Sequence, residues 1–358
     1  MNILIVGLGY AGNRFLRALQ YVASQHQLTS SLSIAYVDKQ QKKPDLPYFN
    51  TVSTALSSFQ PDLIIVTVND EFHAEILNQL TNFSGFVICE KPLANNKDDL
   101  NHLAENLSKI SGFCFDLIER YAETTVCLKN YIKEHKLKLL RAHFYWGKDR
   151  INDYRPTCGV TSEVIHALDL IQYLTECRQD YKLSNALGTC SDFSISGSQV
   201  LDSVMLSAYL NEAVITGYSS FVNITRKREI DLTFTTSQHQ LVYAHMVFDT
   251  PEWDIDYLRV WQKTRQGDDV LLELHTEKVT RNKQLQTIEK LCKLVNDVML
   301  FIKYKAIPEQ DFPDLAAALS LQKLLNSIES RVQTIGPITY TGPVREFLVD
   351  ESDLERLG

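Results

Sequence analysis

Two short groups of residues in this chain could move protons. Glu90-Lys91-Pro92 follows an apolar run at residues 85–89, and His166 lies in a stretch of helical periodicity with Glu163 three positions before it and Asp169 three after it. A partly desolvated lysine gives up its proton more readily, and imidazole titrates near neutrality, so both suit general acid or base catalysis. The pattern makes Lys91 and His166 candidates for catalytic residues.

Each group also has an ordinary structural interpretation. Glu90 and Lys91 could form an ion pair at the surface, and His166 could be a polar group satisfied by its neighbours on the helix. Metal binding by His166, Glu163 and Asp169 lacks further ligands at diagnostic spacing, so we predict no metal site.

A glycine-rich turn at the start of the chain predicts a dinucleotide site. An apolar strand at residues 2–6 leads into Gly7-Leu8-Gly9-Tyr10-Ala11-Gly12, which opens a helix. In this fingerprint the first glycine permits the tight turn, the second lets a pyrophosphate approach the backbone, and the third brings helix and strand together. The N–H groups at the start of the helix, around Tyr10 and Ala11, are then aimed at the anion.

The second predicted strand, at residues 32–37, ends on Asp38. An acidic residue there accepts hydrogen bonds from the adenosine ribose hydroxyls and repels a 2′-phosphate, which predicts NAD as the cofactor. Lys39 could instead favour a phosphate, so NADP stays open.

Strands and helices alternate through the first third of the chain, which predicts a doubly wound parallel sheet. Ligands of such sheets lie beyond the carboxyl ends of the strands, so we expect Thr67, Asn69 and Glu90 near the cofactor. The further strands are predicted at 63–68, 85–89 and 112–115, and the helices from about 72 and over 97–109.

After residue 116 the pattern changes to consecutive β-prone runs, which predict an antiparallel or mixed sheet. These runs are 137–146, 204–210, 213–221, 229–235 and 240–248. Helices are predicted over 122–134, 284–303 and 314–331, and residues 159–174 are predicted to be a loop that enters a helix. We expect a dinucleotide-binding domain over 1–118, a substrate-binding domain over 119–340 and a tail over 341–358.

Bulk composition excludes several classes of protein. The 358 residues are 44% hydrophobic and carry a formal net charge of −8, which gives no support for nucleic-acid binding. The longest apolar runs are strand-sized, and the chain starts directly in a strand, so neither a membrane span nor a signal sequence is expected. Seven scattered cysteines without zinc spacing fit a reducing compartment, and we predict a cytoplasmic protein.

The order of these motifs resembles the glucose-fructose oxidoreductase, inositol dehydrogenase and MocA (Gfo/Idh/MocA) family. The resemblance covers nearly the whole chain. It rests on the glycine turn, Asp38, Thr67-Val68-Asn69 followed by His73, Glu90-Lys91-Pro92, Glu119-Arg120-Tyr121 and the pair His166 and Asp169.

The resemblance implies a Rossmann domain followed by an α/β domain with a large, mainly antiparallel open sheet, whose far face often makes a homo-oligomer contact, here a dimer or tetramer. It implies a nicotinamide-dependent oxidoreductase of a small sugar, polyol or sugar-derived substrate. Carried over by position, Lys91 hydrogen-bonds the reacting oxygen and His166 exchanges its proton. His73 is then expected at the cofactor, and Arg155, Glu163 and Asp169 at the substrate.

One loop departs from the family pattern. Members often carry several glycines and an aspartate just before the histidine, whereas this chain has Cys158-Gly159-Val160-Thr161-Ser162-Glu163, so Glu163 could take over the carboxylate role. Lys148, Arg150 and Arg155 nearby could meet an anionic group of the substrate or form a solvated basic stretch. A catalytically silent nucleotide-binding sensor or scaffold, and an imine or tetrapyrrole reductase, remain as alternatives.

Overall fold

Short apolar strands and amphipathic helices build the first compact unit, which comprises residues 1–118 and 282–323. The computed structural model describes residues 1–26, 32–151, 155–276, 285 and 287–340. The helices of the chain are α1 (Tyr10–Gln25), α2 (Val52–Phe59), α3 (His73–Asn78), α4 (Leu100–Asn106), α5 (Glu123–His135), α6 (Thr161–Leu174), α7 (Glu289–Tyr304) and α8 (Leu315–Arg331).

The sheet of the first unit has six parallel strands in the order β3-β2-β1-β4-β5-β6. Its central strands are continuous apolar runs because helices cover both faces of a parallel sheet. The strands are β1 (Asn2–Val6), β2 (Ser33–Val37), β3 (Tyr48–Phe49), β4 (Leu63–Val66), β5 (Phe86–Cys89) and β6 (Gly112–Phe115). The predicted doubly wound sheet is confirmed.

Helix α7 packs within this first unit, although the sequence placed it in the domain expected over 119–340. Arg14 of α1 donates a hydrogen bond to the backbone oxygen of Thr287 at 2.5 Å. Phe301 lies edge-on to Phe86 of β5, with ring centroids 5.8 Å apart. Packing thus assigns residues 282–323 to the first unit. The domain limits expected from the sequence remain a proposal.

Two local differences from the predicted helices have simple causes. Helix α4 begins at Leu100, not at residue 97, because the carboxylate of Asp99 accepts hydrogen bonds from the N–H groups of Asn101 and His102. Helix α2 was not predicted; it has only eight residues, of which Val52 and Ala55 are buried. Thr51 caps this helix by accepting a hydrogen bond from the N–H of Thr54. The predicted helix over 284–303 lies partly outside the described residues.

The second unit comprises residues 119–281 and 324–358 and contains a nine-stranded sheet in the order β14-β13-β12-β11-β7-β10-β9-β8-β15. Among the described strands of this second sheet, only the pairs β7–β10 and β8–β15 are parallel. The strands are β7 (Lys138–Asp149), β8 (Lys182–Ser191), β9 (Val200–Leu210), β10 (Ala213–Ser220), β11 (Val222–Thr235), β12 (Leu241–Val247), β13 (Tyr257–Thr264), β14 (Gly267–His275) and β15 (Gln333–Ile338).

The large, mainly antiparallel sheet is thus confirmed, with four strands, β8 and β13 to β15, that the sequence did not predict. Residues alternate along the sheet between a buried face, with Phe144, Ile230 and Met246, and a more open face, with His143, Asp231 and His245. Strand β14 and strand β15 lie at the two edges and are largely exposed, so their sequences lack a strong apolar pattern.

No helix within the described ranges is both long and apolar enough to span a bilayer. All seven cysteines are free thiols.

Candidate active site

The carboxyl ends of β1, β2 and β4 hold the glycine-rich turn in place through backbone contacts. The N–H of Gly7 donates to the oxygen of Val37 at 2.8 Å, and the N–H of Thr67 donates to that of Val6 at 2.9 Å. The hydroxyl of Thr67 also donates to the oxygen of Gly7 at 2.6 Å. Thr67, which was predicted to lie near the cofactor, therefore holds the turn in place through its hydroxyl and its backbone N–H.

The three glycines of the turn are required for different reasons. Gly7 has a φ of +94°, in the left-handed region that favours glycine. A Cβ on Gly12 would lie 2.1 Å from the oxygen of Gly7, so α1 and the turn could not approach each other as they do. A Cβ on Gly9 would meet no atom within 4 Å, so the space above this residue is open.

This cradle fits a pyrophosphate. Helix α1 begins after Gly9, which has no side chain to cap it, and no acidic residue lies in the first turn of the helix. Gly9, Tyr10 and Ala11 are partly exposed, and the N–H groups at the positive end of a helix are suited to bind an anion. The predicted cofactor residues of this turn therefore lie together.

Asp38 stands at the end of β2 and is joined to the same turn. Its Oδ2 accepts a hydrogen bond from the N–H of Leu8 at 2.8 Å, and its Oδ1 accepts one from the N–H of Lys39 at 2.7 Å. Lys42 approaches Oδ2 to 3.1 Å. The carboxylate is thus fixed beside the glycine turn, where a ribose hydroxyl could reach it, and two lysines lie close to it.

Lys91 follows β5 at the same edge of the sheet and is half-buried. Its backbone N–H donates to Oε2 of Glu90 at 3.2 Å, and the N–H of Glu90 donates to the oxygen of Val66 at 2.9 Å. His73 is buried, with Nδ1 2.5 Å from the oxygen of Pro92 and Nε2 2.9 Å from that of Val68. His73 therefore braces the turn that carries Lys91, while the exposed Asn69 begins the 3-10 turn just before His73.

A buried cluster of charges lies beside helix α6 in the second unit. Arg228 of β11 lies 3.2 Å from Glu163, 3.7 Å from Glu119, and in a short hydrogen bond with Asp249. Burial acts to lower the pKa of Arg228, but the carboxylates of Asp249, Glu163 and Glu119 outweigh it and raise the pKa above its usual value. We call these four residues the Arg228 cluster.

Glu163 is the innermost member of the Arg228 cluster and has no exposed surface. Its Oε1 accepts a hydrogen bond from the indole N–H of Trp146 at 3.1 Å, and its Oε2 lies 2.8 Å from the ammonium of Lys148. With Arg228, three donors therefore surround the carboxylate of Glu163, which the sequence analysis placed at the substrate. These contacts favour a supporting role for Glu163.

His166 projects from α6 toward Glu119, with Nδ1 3.1 Å from Oε2 of the carboxylate. Its ring stacks on Trp146, with an interplanar angle of 19° and centroids 5.8 Å apart. The side chain is 7% exposed. A histidine so oriented has one nitrogen at a carboxylate and is suited to proton exchange through the other.

Asp169, one turn further along α6, binds Arg120 through both carboxylate oxygens, with the Nε to Oδ2 distance at 2.8 Å. The guanidinium of Arg120 also covers the ring of Tyr173 at 4.5 Å. Both oxygens of Asp169 are thus engaged by protein, which favours a positioning role over substrate contact. Arg155, also predicted at the substrate, lies in the loop before α6, where its backbone oxygen accepts a hydrogen bond from Arg150 at 3.4 Å.

The polar face of α6 is buried, whereas its sequence pattern indicated an apolar face and an opposite polar one. The reason is that charged partners from distant strands and turns cover Glu163, His166 and Asp169. Sequence reasoning noted Glu119 and Arg120 only as part of a motif and missed Arg228 and Asp249. The one signal of Arg228 in the sequence is the charged run Arg226-Lys227-Arg228 in a β-prone segment. Among the residues described, no group of His, Cys, Asp and Glu could hold a metal ion.

Comparison with known proteins supports the interpretation of the first unit as a dinucleotide-binding domain. Residues 1–115 match the Gfo/Idh/MocA model, described as an oxidoreductase family with an NAD-binding Rossmann fold. The inositol 2-dehydrogenase of Salmonella typhimurium is 25% identical over 188 residues, which are 50% of this chain and 55% of that protein. The chain thus spans about half the length of the curated relatives it matches.

Solved structures resemble the whole fold at low sequence identity. Levoglucosan dehydrogenase in complex with NADH has a TM-score of 0.72 and 14% identity, over 92% of this chain and 96% of that one. A super-repressor mutant of Gal80p from Saccharomyces cerevisiae has a TM-score of 0.68 and 15% identity, over 92% and 95% of the two chains. The predicted family resemblance and an NAD-binding domain are confirmed.

The glycine turn gives a paired prediction. Gly9→Ala should keep the stability of the wild type, because its Cβ enters open space, yet weaken NADH binding tenfold or more, since that space is where the pyrophosphate approaches. Gly12→Ala should lower the melting temperature, because its Cβ would meet the oxygen of Gly7. Thermal unfolding and NADH fluorescence titration measure both effects. Unchanged NADH affinity in a folded Gly9→Ala variant would contradict the assignment.

Proposed function

We propose that the chain is an NAD-dependent oxidoreductase, because its first 115 residues match the Gfo/Idh/MocA oxidoreductase model with its NAD-binding Rossmann fold. Its reaction moves hydride between nicotinamide and a hydroxyl or carbonyl carbon of a sugar, polyol or sugar-derived substrate. The observation that carries the proposal is the match of residues 1–115, together with the position of Lys91 directly after β5 of that domain.

The nicotinamide, when bound, accepts or gives the hydride, and the protein handles the proton. In the proposal, Lys91 hydrogen-bonds the reacting substrate oxygen and His166 takes its proton during oxidation or returns it during reduction. Arg155 contacts a more distant polar group of the substrate. Glu163 and Asp169 act through their neighbours, because Trp146, Arg228 and Lys148 surround the first and Arg120 binds the second.

The substrate class is supported by the names of similar proteins. Inositol is a polyol, and a relative of the first half of the chain is an inositol 2-dehydrogenase. A structural neighbour of the whole chain acts on levoglucosan, a sugar derivative. A small polyhydroxylated substrate accords with both, and the cytoplasm is the compartment we propose.

A second candidate function is a nucleotide-binding regulator without turnover. The fold similarity to Gal80p, studied as a super-repressor, favours it, since the same architecture occurs in a regulatory protein. Lys91 and His166 argue against it, because a regulator has no need to keep both proton-handling residues. Turnover of NAD with any polyol separates the two functions.

We include homo-oligomer formation in the proposal. The open face of the nine-stranded sheet carries a group of exposed apolar side chains on adjacent strands, where Leu187 pairs with Met205 and Tyr209 with Val214. Apolar groups of this kind mark interaction surfaces. A second copy of the chain is the partner that the proposal assigns to this face.

A screen of polyols, sugars and oxidised sugar derivatives with NAD(H) and NADP(H), followed by absorbance of the reduced cofactor, tests the function. On the best substrate, Lys91→Ala should lower kcat by about 10²-fold or more, by the usual size of general acid or base effects. NADH affinity should stay within a few-fold. The exposed Lys97, in the next turn of the chain, provides the control variant Lys97→Ala, with wild-type kcat expected. Equal turnover in Lys91→Ala and wild type would refute the role of Lys91.

Asp38 provides a test of cofactor preference. Asp38→Ala should weaken NAD binding more than NADP binding, because the carboxylate hydrogen-bonds a ribose hydroxyl but repels a 2′-phosphate. Lys39 and Lys42 remain beside the site and can meet that phosphate. Dissociation constants of the two reduced cofactors, measured by fluorescence titration, decide the outcome. An equal loss for both would show that Asp38 does not select between them.

A further inference from the structure

Glu119 is the carboxylate that faces His166. Its Oε2 lies 3.1 Å from Nδ1 of the imidazole, and both side chains are more than nine-tenths buried. The ring of Trp146 lies nearly parallel to the imidazole and limits its rotation. One ring nitrogen therefore lies at ion-pair distance from a buried carboxylate, and the other nitrogen lies on the far side of the ring.

We propose that Glu119 is a positioning residue for His166, and that its carboxylate keeps the proton on Nδ1 so that Nε2 exchanges the substrate proton. The inference rests on the proposed function, in which His166 is the acid or base. A neutral imidazole has two tautomers, and the hydrogen bond made by one nitrogen decides which is present. Without Glu119 both tautomers would be populated, and Nε2 would carry the proton in part of the molecules.

The environment of Glu119 keeps the carboxylate charged and fixed. Its second oxygen, Oε1, lies 3.7 Å from the guanidinium of Arg228. Arg228 also binds Glu163 and Asp249, so the guanidinium is itself held from two further sides. A buried guanidinium beside a buried carboxylate favours the ionised form of the carboxylate, and this form attracts the hydrogen that stays on Nδ1.

A second contact aligns the two elements that carry the pair. Glu119 lies in a 3-10 turn over Ile118–Tyr121, and its neighbour Arg120 binds Asp169 on α6. Asp169 lies about one helical turn from His166, on the same face. The turn and the helix are therefore joined twice, and the double connection fixes Glu119 opposite the imidazole.

Glu163 does not meet the requirements for this role. It lies on α6 one turn before His166, but its oxygens are engaged by Trp146, Arg228 and Lys148. Ser162, four residues before His166, donates its hydroxyl to the oxygen of Gly159 at 2.9 Å. Among the described contacts of His166 with carboxylates, that with Glu119 is the one at ion-pair distance.

The test compares Glu119→Gln and Glu119→Asp with the control Asp249→Asn. Each glutamine or asparagine variant removes one carboxylate from Arg228 and leaves it two, but only the first changes the partner of His166. The readouts are the 15N NMR signals of the His166 ring, with the nicotinamide site empty and loaded with NADH, and kcat and KM on the screened substrate. The signals of His166 among the nine histidines are identified by their loss in His166→Gln.

We expect the wild type and Asp249→Asn to show a single tautomer of the neutral ring, with Nδ1 protonated and Nε2 unprotonated. Glu119→Gln should show a mixture of tautomers and lower kcat by roughly 10²-fold, as general acid or base effects do, with KM and NADH affinity within a few-fold. Glu119→Asp should recover at least tenfold of the lost kcat, because it restores the charge.

Unchanged ring signals in Glu119→Gln, or an equal change in Asp249→Asn, would overturn the inference and leave Glu119 a purely structural member of the Arg228 cluster. The NMR readout needs no substrate, so it tests the pairing even if the screen finds no turnover. Failure of the proposed function and failure of the Glu119 inference therefore give different results.

Discussion

One guanidinium buried among three carboxylates sets the arrangement of the second unit. Arg228 on β11 contacts Glu119 in a 3-10 turn, Glu163 on α6 and Asp249 after β12. Moving charges from water into a protein interior costs several kcal/mol per ion, so each must be placed against a partner. The packing of α6 against the sheet must satisfy this constraint, and His166 is carried on α6 beside it.

The first unit positions its residues by a different physical means. There the backbone itself forms the binding surface, because Gly7, Gly9 and Gly12 allow close approach and leave N–H groups at the start of α1. Side chains such as Thr67 and His73 hold the turns by binding backbone oxygens. The proposed chemistry thus combines a rigid backbone cradle for the cofactor with side-chain charges that control a proton.

The sequence predicts what depends on local spacing. The glycine turn, the strand end at Asp38, the position of Lys91 after a strand and the shared helix face of His166 and Asp169 all follow from residues within a few positions of one another. The match of residues 1–115 confirms the resemblance to the family and the NAD-binding Rossmann fold of the first unit. Edge strands β14 and β15 escaped prediction because exposed strands need no apolar alternation.

Contacts between distant segments could not be predicted in this way. Glu119 and Arg228 are separated by more than a hundred positions, and nothing in the spacing of either indicates the other. Glu163 was therefore expected to serve the substrate, although Trp146 and Lys148 surround it. Likewise, helix α7 belongs to the first unit because of contacts between distant residues, such as the aromatic contact between Phe86 and Phe301. A single sequence gives the chemical groups, and the tertiary fold decides their partners.

The most direct test of the central constraint is the free energy of unfolding of Arg228→Met against Lys227→Met, from urea denaturation followed by tryptophan fluorescence. Trp146 and Trp253 lie 5.4 and 4.9 Å from Arg228, so their emission reports on this region. Arg228→Met should lose about 3–5 kcal/mol, because buried carboxylates lose their partner. Lys227 pairs with Glu229 near the surface, and its loss should cost about 1 kcal/mol or less. Equal stability of the two variants would contradict the account.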